Sequence, residues 1–481
     1  MANRTTPTEE RSTRANVGDA AVETIRSQLR GPVFTPEDAG YEEATVIWNG
    51  MIDRSPALVV QPTGTADVVA AVNVAREHDL LLSVKGGGHH IAGTALADGG
   101  LTVDMSRLRG VLVDPDERTA TAQAGCLLGD LDRETQLHGL CTPVGFVSET
   151  GLAGLTLGGG FGYLTRRFGW TVDNLLAVEI VTADGRVRRA SREEHGDLFW
   201  ATRGAGHNLG VVTSFTYRLH EVGPTVYGGL VAWPSERAEA VLDAYRAFTA
   251  EAPRELTAFL LLRRAPPAPF VPEAWHGERI CAMAVCYSGD LDDTEAALAP
   301  IRAIGDPIVD TMQEQPYTRL QSYLDGTQPK GKHYYWKTEF AGELSDGLLS
   351  TMRSLAAENP IPGGQLVVAH LGGAVNERDD DDGAVGNRDA RYVYGAAGMW
   401  DPDDPDGDRY CDWVRDAWEQ FRPFSTGGNY VNFQTADEDD ERIRATYGTN
   451  YDRLVEVKTK YDPENLFRVN RNVSPASASL D

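Results

Sequence analysis

Residues 83–93 read SVKGGGHHIAG: an apolar run gives way to three consecutive glycines, and two histidines follow at once. A backbone without Cβ atoms admits a close approach. An imidazole beside it can ligate, act as a nucleophile or hydrogen-bond. A phosphate loop, a metal site and a covalently held cofactor would each use that pairing. Two further glycine-rich stretches, GLAGLTLGGGFG at 151–162 and GAGHNLG at 204–210, stand in the same half of the chain. Neither completes the dinucleotide pattern G-x-G-x-x-G, because Tyr163 and Leu209 occupy the place of the third glycine. GxxxxGK[ST] is absent as well, so a P-loop has no support. No metal is expected: neighbouring side chains in an extended segment point to opposite sides, which keeps His89 and His90 from sharing an ion. No HExxH and no carboxylate at ligand spacing lies nearby. Three separated glycine loops suit a large dinucleotide better, since several backbone N–H groups can turn toward a pyrophosphate. Each loop taken alone is equally compatible with a tight turn.

The elements that must carry these loops are readable from pattern. PALVVQP, TADVVAAVNVAREHD and LLLSV predict strand, helix and strand over 57–84, with Thr65 as N-cap and Val68, Val72 and Ala75 on one helix face. Short strands follow, then a helix over roughly 127–138 and a hairpin turning at Asp184–Gly185. From about 221 the character changes. TVYGGLVAWP, RICAMAVCYSG, GQLVVAHLGG and ARYVYGAAGMW read as strands between helical segments, and YYWKTEF reads as a further strand. The expectation is an α+β chain of two units, the second with a largely antiparallel sheet and helices on one side. The tail carries a helix closed by Asp462–Pro463.

Composition narrows the partners. The 481 residues are enough for two domains. The net charge of −26, with six lysines among 45 basic residues, argues against nucleic acid, which needs a basic face. A lysine-poor chain coated with carboxylates resembles proteins of a salt-saturated cytoplasm, where salt screens self-repulsion. No apolar run reaches a membrane span, and the polar N-terminus lacks a signal-peptide h-region, so a cytoplasmic protein is expected. The five scattered cysteines show no CxxC pair and read as reduced thiols.

Taken in order, VKGGGHHIAG, GLAGLTLGGGFGYLTRRFGWTVDNLLAVEIVTADGRV, DLFWATRGAGHNLGVVTSF, YVNF and YDPENLFRVNRNV resemble the flavin-linked oxidases of the berberine bridge enzyme group. That group has the wider vanillyl-alcohol-oxidase-type (PCMH-type) FAD fold. The resemblance runs from about 45 to 475. It implies an FAD-binding domain over 1–220 completed by 425–481, and a substrate-binding domain over 221–424. It implies a covalent bond from His89 to the flavin's benzene-ring methyl, with His90 structural beside it. FAD contacts would come from Lys85, Gly86, Gly87, Gly88, His89, His90, Gly151, Gly154, Gly158, Gly159, Gly160, Gly204, His207, Asn208, Gly210, Val211, Val212, Tyr430 and Asn432. Many relatives add a cysteine tether. Val147 stands there in this chain and Cys141 falls six residues too early, so a single tether is expected. Thr150 matches a position thought to gate oxygen.

The implied reaction oxidises a C–H bond next to oxygen or nitrogen of a sugar, alcohol or amine, with O2 or another electron acceptor and a monomer or homodimer as the working form. Relatives often carry Y-x-N-Y, whose second tyrosine can act as base. Here Phe433 replaces it, which leaves Tyr430, Glu339, His370 and Tyr335 as candidates, and Lys337 as a partner of Glu339 or of the reduced flavin. Two other readings remain: a carbohydrate- or nucleotide-binding relative without chemistry, and an NAD(P)H-linked reductase with loosely held flavin.

Overall fold

The computed structural model describes residues 18–476; the polar start of the chain and its last five residues lie outside them. Leu58–Val60, Leu82–Lys85 and Leu101–Asp104 form a parallel sheet with Leu101–Asp104 in the middle, and Val33–Phe34 adds an antiparallel edge. Helix Thr65–Glu77 crosses over between the first two and buries Val68, Ala71, Val72 and Ala75, one stripe at helical spacing. Its N-cap is Gly64, not Thr65 as the sequence suggested. The Asp67 carboxylate accepts from the amides of Thr63, Arg30 and Gly31, and the Thr65 hydroxyl donates instead to Glu179 at 2.7 Å. The segment expected as one helix over 127–138 is α-helical for Leu128–Thr135 and a 3-10 turn for Gln136–His138.

A five-stranded antiparallel sheet follows. It includes the foreseen hairpin of Leu175–Thr182 and Val187–Ser191, where Gly185 takes φ +75°, a conformation that favours glycine. The next unit is an eight-stranded antiparallel sheet. Its long strands are Thr225–Pro234, Leu256–Arg264, Arg279–Tyr287, His333–Ala341, Gln365–His370 and Tyr392–Trp400. Leu256–Arg264 was not foreseen, although it sits between two strands that were. Helices Ala238–Glu251, Asp346–Glu358 and Gly407–Phe421 cover one face, with Leu260, Val368, Tyr394, Met352 and Val414 in the shared core.

The chain then returns to its first half. Helices Asp440–Tyr447 and Tyr451–Tyr461 place Tyr447, Leu454 and Val457 in the core that contains Val68 and Val72. A buried ion pair, Lys458 to Asp462 at 2.6 Å, fixes the join. Lys458 also donates to the carbonyls of Asn208 and Phe467, each at 2.8 Å, so every polar atom of this buried cation's end is engaged. Among the described residues no helix is long and apolar enough to cross a membrane.

Candidate active site

The antiparallel sheet has a covered face and an open one, and strand alternation assigns each residue to one of them. Along Leu256–Arg264 the even positions Ala258, Leu260 and Leu262 enter the helix-covered core. The odd positions Phe259, Leu261 and Arg263 line a large cavity between this sheet and the glycine loops. Register carries the same division across the sheet: Arg263 lies opposite Gln365, Gln365 opposite Ala397, and Ala397 opposite Trp336. All four line the cavity, and so do Val367, Thr338, Ala369 and Val393 in the next two rows.

The first glycine loop forms the far wall. Gly86, Gly87, Gly88, His89, His90, Gly151 and Gly154 line the cavity. Part of this glycine requirement is loop against loop. A Cβ on Gly87 would fall 2.4 Å from the Gly151 nitrogen, and one on Gly151 would fall 2.2 Å from the Gly87 nitrogen. Gly154 is different, with nothing within 4 Å of where its Cβ would stand. His89 stacks on Trp48 with ring centroids 4.5 Å apart, and Trp48 stacks in turn on Tyr334 at 3.8 Å. Asn49 clamps this loop to the sheet, donating to the carbonyls of Ile91 at 2.8 Å and Tyr334 at 3.0 Å. Burial pushes His89 down to about 4 and His90 and His207 down to about 3, with the Arg471 cation adding to the last two. All three imidazoles are therefore neutral at physiological pH. The Lys85 ammonium turns away from the cavity to the Ala44 carbonyl at 2.7 Å and to Asp104.

The glycines at 158–160 serve another purpose: they make room for the C-terminal YVNF segment. A Cβ on Gly158 would lie 2.3 Å from Asn432 Oδ1, and Gly159 faces Tyr430 and Trp170. The Gly160 amide donates to the Tyr430 hydroxyl oxygen at 3.0 Å, and Asn432 Nδ2 donates to the same oxygen at 2.8 Å. Tyr430, Asn432 and Phe433 all line the cavity. Burial raises the Tyr430 phenol above its ordinary range, while the two donors pull the other way.

The loop at 204–212 divides similarly. His207, Gly210 and Val212 line the cavity. Gly204, at φ +132°, packs on Val385, Val211 is in the core, and the Asn208 amide group binds the backbone of Arg471 and Val473.

Three of the four proposed bases are on the wrong side of the sheet. Tyr335 and Glu339 share a strand face with Lys337, opposite to Trp336 and Thr338, and His370 shares one with Leu366 and Val368, opposite to Val367 and Ala369. The Glu339 carboxylate pairs with Arg442 at 2.8 Å and accepts from Trp418 and Ser425, each at 2.6 Å. Tyr335 donates to Asp437 at 2.6 Å. Lys337 pairs with Asp437 and Glu438, not with Glu339. His370 Nε2 accepts from Arg166 at 2.5 Å, which together with burial holds its imidazole neutral. Of the four, Tyr430 alone lines the cavity.

The cavity suits a large polar cofactor. Among the described residues Thr338 Oγ1 and Asn470 Oδ1 find no protein partner in hydrogen-bond geometry although both are buried, and both residues line it. Gly154 leaves backbone open at the same wall. Val147 and Thr150 also line it, whereas Cys141 is buried elsewhere, in a cluster with Tyr163 and Cys286.

Residues 56–191 match the FAD binding domain family, and residues 429–474 match the berberine and berberine-like family. An FAD-linked oxidoreductase of Dictyostelium discoideum is 32% identical over 453 residues, which are 93% of this chain and 95% of the relative. The chain belongs to the berberine-like FAD-linked oxidoreductases. Another member, the (R)-6-hydroxynicotine oxidase of Paenarthrobacter nicotinovorans, is 28% identical over 93% of this chain and 97% of its own length. The crystal structure of 6-hydroxy-D-nicotine oxidase from Arthrobacter nicotinovorans superposes with a TM-score of 0.82 at 26% identity, covering 93% of this chain and 98% of that one. These neighbours have the PCMH-type FAD fold, so the α+β class and the FAD-linked oxidoreductase function stand for this berberine-like chain too.

Sequence reasoning missed Trp48, Phe259, Arg263, Gln365 and Asn470. Trp48 is a lone aromatic with no motif. Phe259 and Arg263 lie on the unforeseen strand, and Gln365 starts a strand whose open face becomes identifiable only through its pairing with that one.

Proposed function

We propose that this oxidoreductase removes a proton and a hydride from a small-molecule alcohol, sugar or amine, using FAD tethered through His89 alone. The tether is supported by the imidazole itself: held neutral by burial and flat against Trp48, it has a lone pair free for carbon and a fixed orientation. A valine at 147 offers no second bond. When bound, FAD supplies a two-electron acceptor.

The protein's share is orientation and proton handling. The observation that carries the reading is the Tyr430 hydroxyl. It borders the cavity and accepts two hydrogen bonds, from Gly160 and Asn432, both of which stabilise a phenolate. Tyr430 therefore takes the substrate's hydroxyl or amine proton, in place of the tyrosine that Phe433 lacks. Phe161, Trp336 and Phe433 wall the cavity with apolar surface and keep water from the reacting carbon. One relative is named for oxidising 6-hydroxynicotine, which supports a small-molecule substrate, with O2 or another acceptor reoxidising the cofactor.

Residues 1–220 with 425–481 form the cofactor domain in this reading, and 221–424 the substrate domain. The return of Tyr447, Leu454 and Val457 to the first core favours that division. The acidic, lysine-poor composition favours a cytoplasmic protein at home in concentrated salt. The test is a yellow pellet after acid precipitation, then bleaching of the flavin by candidate alcohols, sugars or amines without oxygen. A colourless pellet would remove the tether, and a panel that bleaches nothing would remove the chemistry.

A further inference from the structure

The cavity has one formal charge. Among the described residues, Arg263 is the one Arg, Lys, Asp or Glu lining it, and the three lining histidines are neutral. The chain has 71 acidic residues, and among the described ones none lines this wall. Arg263 sits on the open face of strand Leu256–Arg264, directly opposite Gln365. Among the described residues it has no ion-pair partner. Its Nε donates to the Arg264 carbonyl at 3.2 Å and one NH1 hydrogen to Gln365 Oε1 at 3.3 Å, so two of five N–H donors are used. Burial is the one influence acting on its charge, and it lowers the guanidinium's proton affinity. Gln328, Thr327 and Trp336 border the same part of the cavity. An uncompensated guanidinium at an apolar wall is costly unless something anionic meets it.

We infer that Arg263, with Gln365 beside it, recognises an oxyanion of the substrate, so that the preferred substrate is an alcohol, sugar or amine bearing a carboxylate, or a phosphate or sulfate ester. A planar fork with free donors matches such groups, bidentately for a carboxylate. The row of Arg263, Gln365, Ala397 and Trp336 is two residues along the strands from the row of Leu261, Val367 and Thr338, a step of about 7 Å. The anion is therefore held toward one end of the cavity, in the outermost of the strand rows that line it. This assignment rests on the proposed function for the identity of the oxidised group, but not for the anion site itself.

The experiment has two arms on the flavin-loaded protein. In the first, benzoate, phenyl phosphate and neutral benzamide are titrated at fixed ionic strength while flavin absorbance and tryptophan fluorescence are followed. Benzoate or phenyl phosphate is expected to bind at least tenfold more tightly than benzamide. Arg263→Gln should abolish that preference and Arg263→Lys should keep part of it, with unchanged melting temperature showing that both variants fold. Affinity for both benzoate and phenyl phosphate no greater than for benzamide in the parent protein, or an anion preference that survives Arg263→Gln, overturns the inference. In the second arm, flavin reduction without oxygen is compared for glucose against glucuronate and for benzyl alcohol against mandelate. The anionic member should reduce faster in at least one pair, and only while Arg263 is present. Reduction by neutral members without anion preference sinks the inference and leaves the oxidoreductase reading standing. Arg263-dependent benzoate binding with no reduction by any member does the reverse.

Discussion

The two faces of the eight-stranded sheet hold different residue types and serve different ends. The covered face has Tyr335, Lys337, Glu339 and His370, which in isolation look like a catalytic set, and every one of them is engaged in an ion pair or hydrogen bond that ties sheet to helix or tail. The open face has Phe259, Leu261, Val367, Ala369 and Trp336, with one charge at Arg263, and it borders the cavity. Titratable chemistry on a strand is thus a poor guide to the site unless its parity is known. The group that does reach the cavity, Tyr430, comes from the returning C-terminal segment and is positioned by a glycine loop of the first half.

The sharpest way to break this contrast is to remove one group from each side. Tyr430→Phe should slow anaerobic flavin reduction by about 10²- to 10⁴-fold, the usual loss for a positioned acid–base group, while the bound flavin spectrum is kept. In the parent protein the rate should keep climbing with pH through the alkaline range, because burial raises the phenol and the reactive form is the deprotonated one. The variant's profile should be flat. A variant reduced at the parental rate would return the covered-face residues to consideration.

Glu339→Gln should act the other way. It removes one of the two buried carboxylates that pair with the Arg442 guanidinium and leaves Glu438, at 3.3 Å, as the other. Denaturant unfolding should show a loss of about 1.5–3 kcal/mol, the usual scale for a hydrogen bond to a charged group, and the reduction rate of the folded fraction should stay within about threefold of the parent, since no step of acid–base catalysis is lost. A loss of rate larger than the loss of stability explains would place Glu339 in the chemistry after all.

The smallest expected effect concerns the cavity's neutral histidines. His90 and His207, depressed to about 3, and His89, to about 4, bind protons more readily when the chain unfolds. The unfolded chain takes up those protons as pH falls below 6.5, so their contribution is complete above that value and is lost progressively toward pH 3–4. Melting temperature should fall over that window, and His207→Asn should make the fall shallower. An unchanged slope would mean that carboxylates alone set the acid limit.

Much of the first half of the chain was legible because its constraint is local. Glycines that let two loops touch, or that admit Asn432 and Tyr430, have no substitute, so they stand out in the sequence. Their purposes were less legible: Gly158, Gly159 and Gly160 accommodate the C-terminal segment, and Gly204 a neighbouring loop. The unit with the eight-stranded sheet resisted for a different reason. LTAFLLLRR is a leucine-rich run that fits a buried helix as well as a strand. In HYYWKTEFA both faces carry aromatics, so alternation separates Tyr335, Lys337 and Glu339 from Trp336 and Thr338 without saying which set meets the helices. Pairing with neighbouring strands decides it, and pairing is a long-range fact.

The most direct test of the central claim, that His89 holds the redox group at the wall of this cavity, is peptide mapping by mass spectrometry of the flavin-saturated protein. The account predicts one FAD-derived adduct, on the peptide containing His89, absent from His89→Ala and from every cysteine-containing peptide. An unmodified His89 peptide in a yellow, active preparation would contradict it.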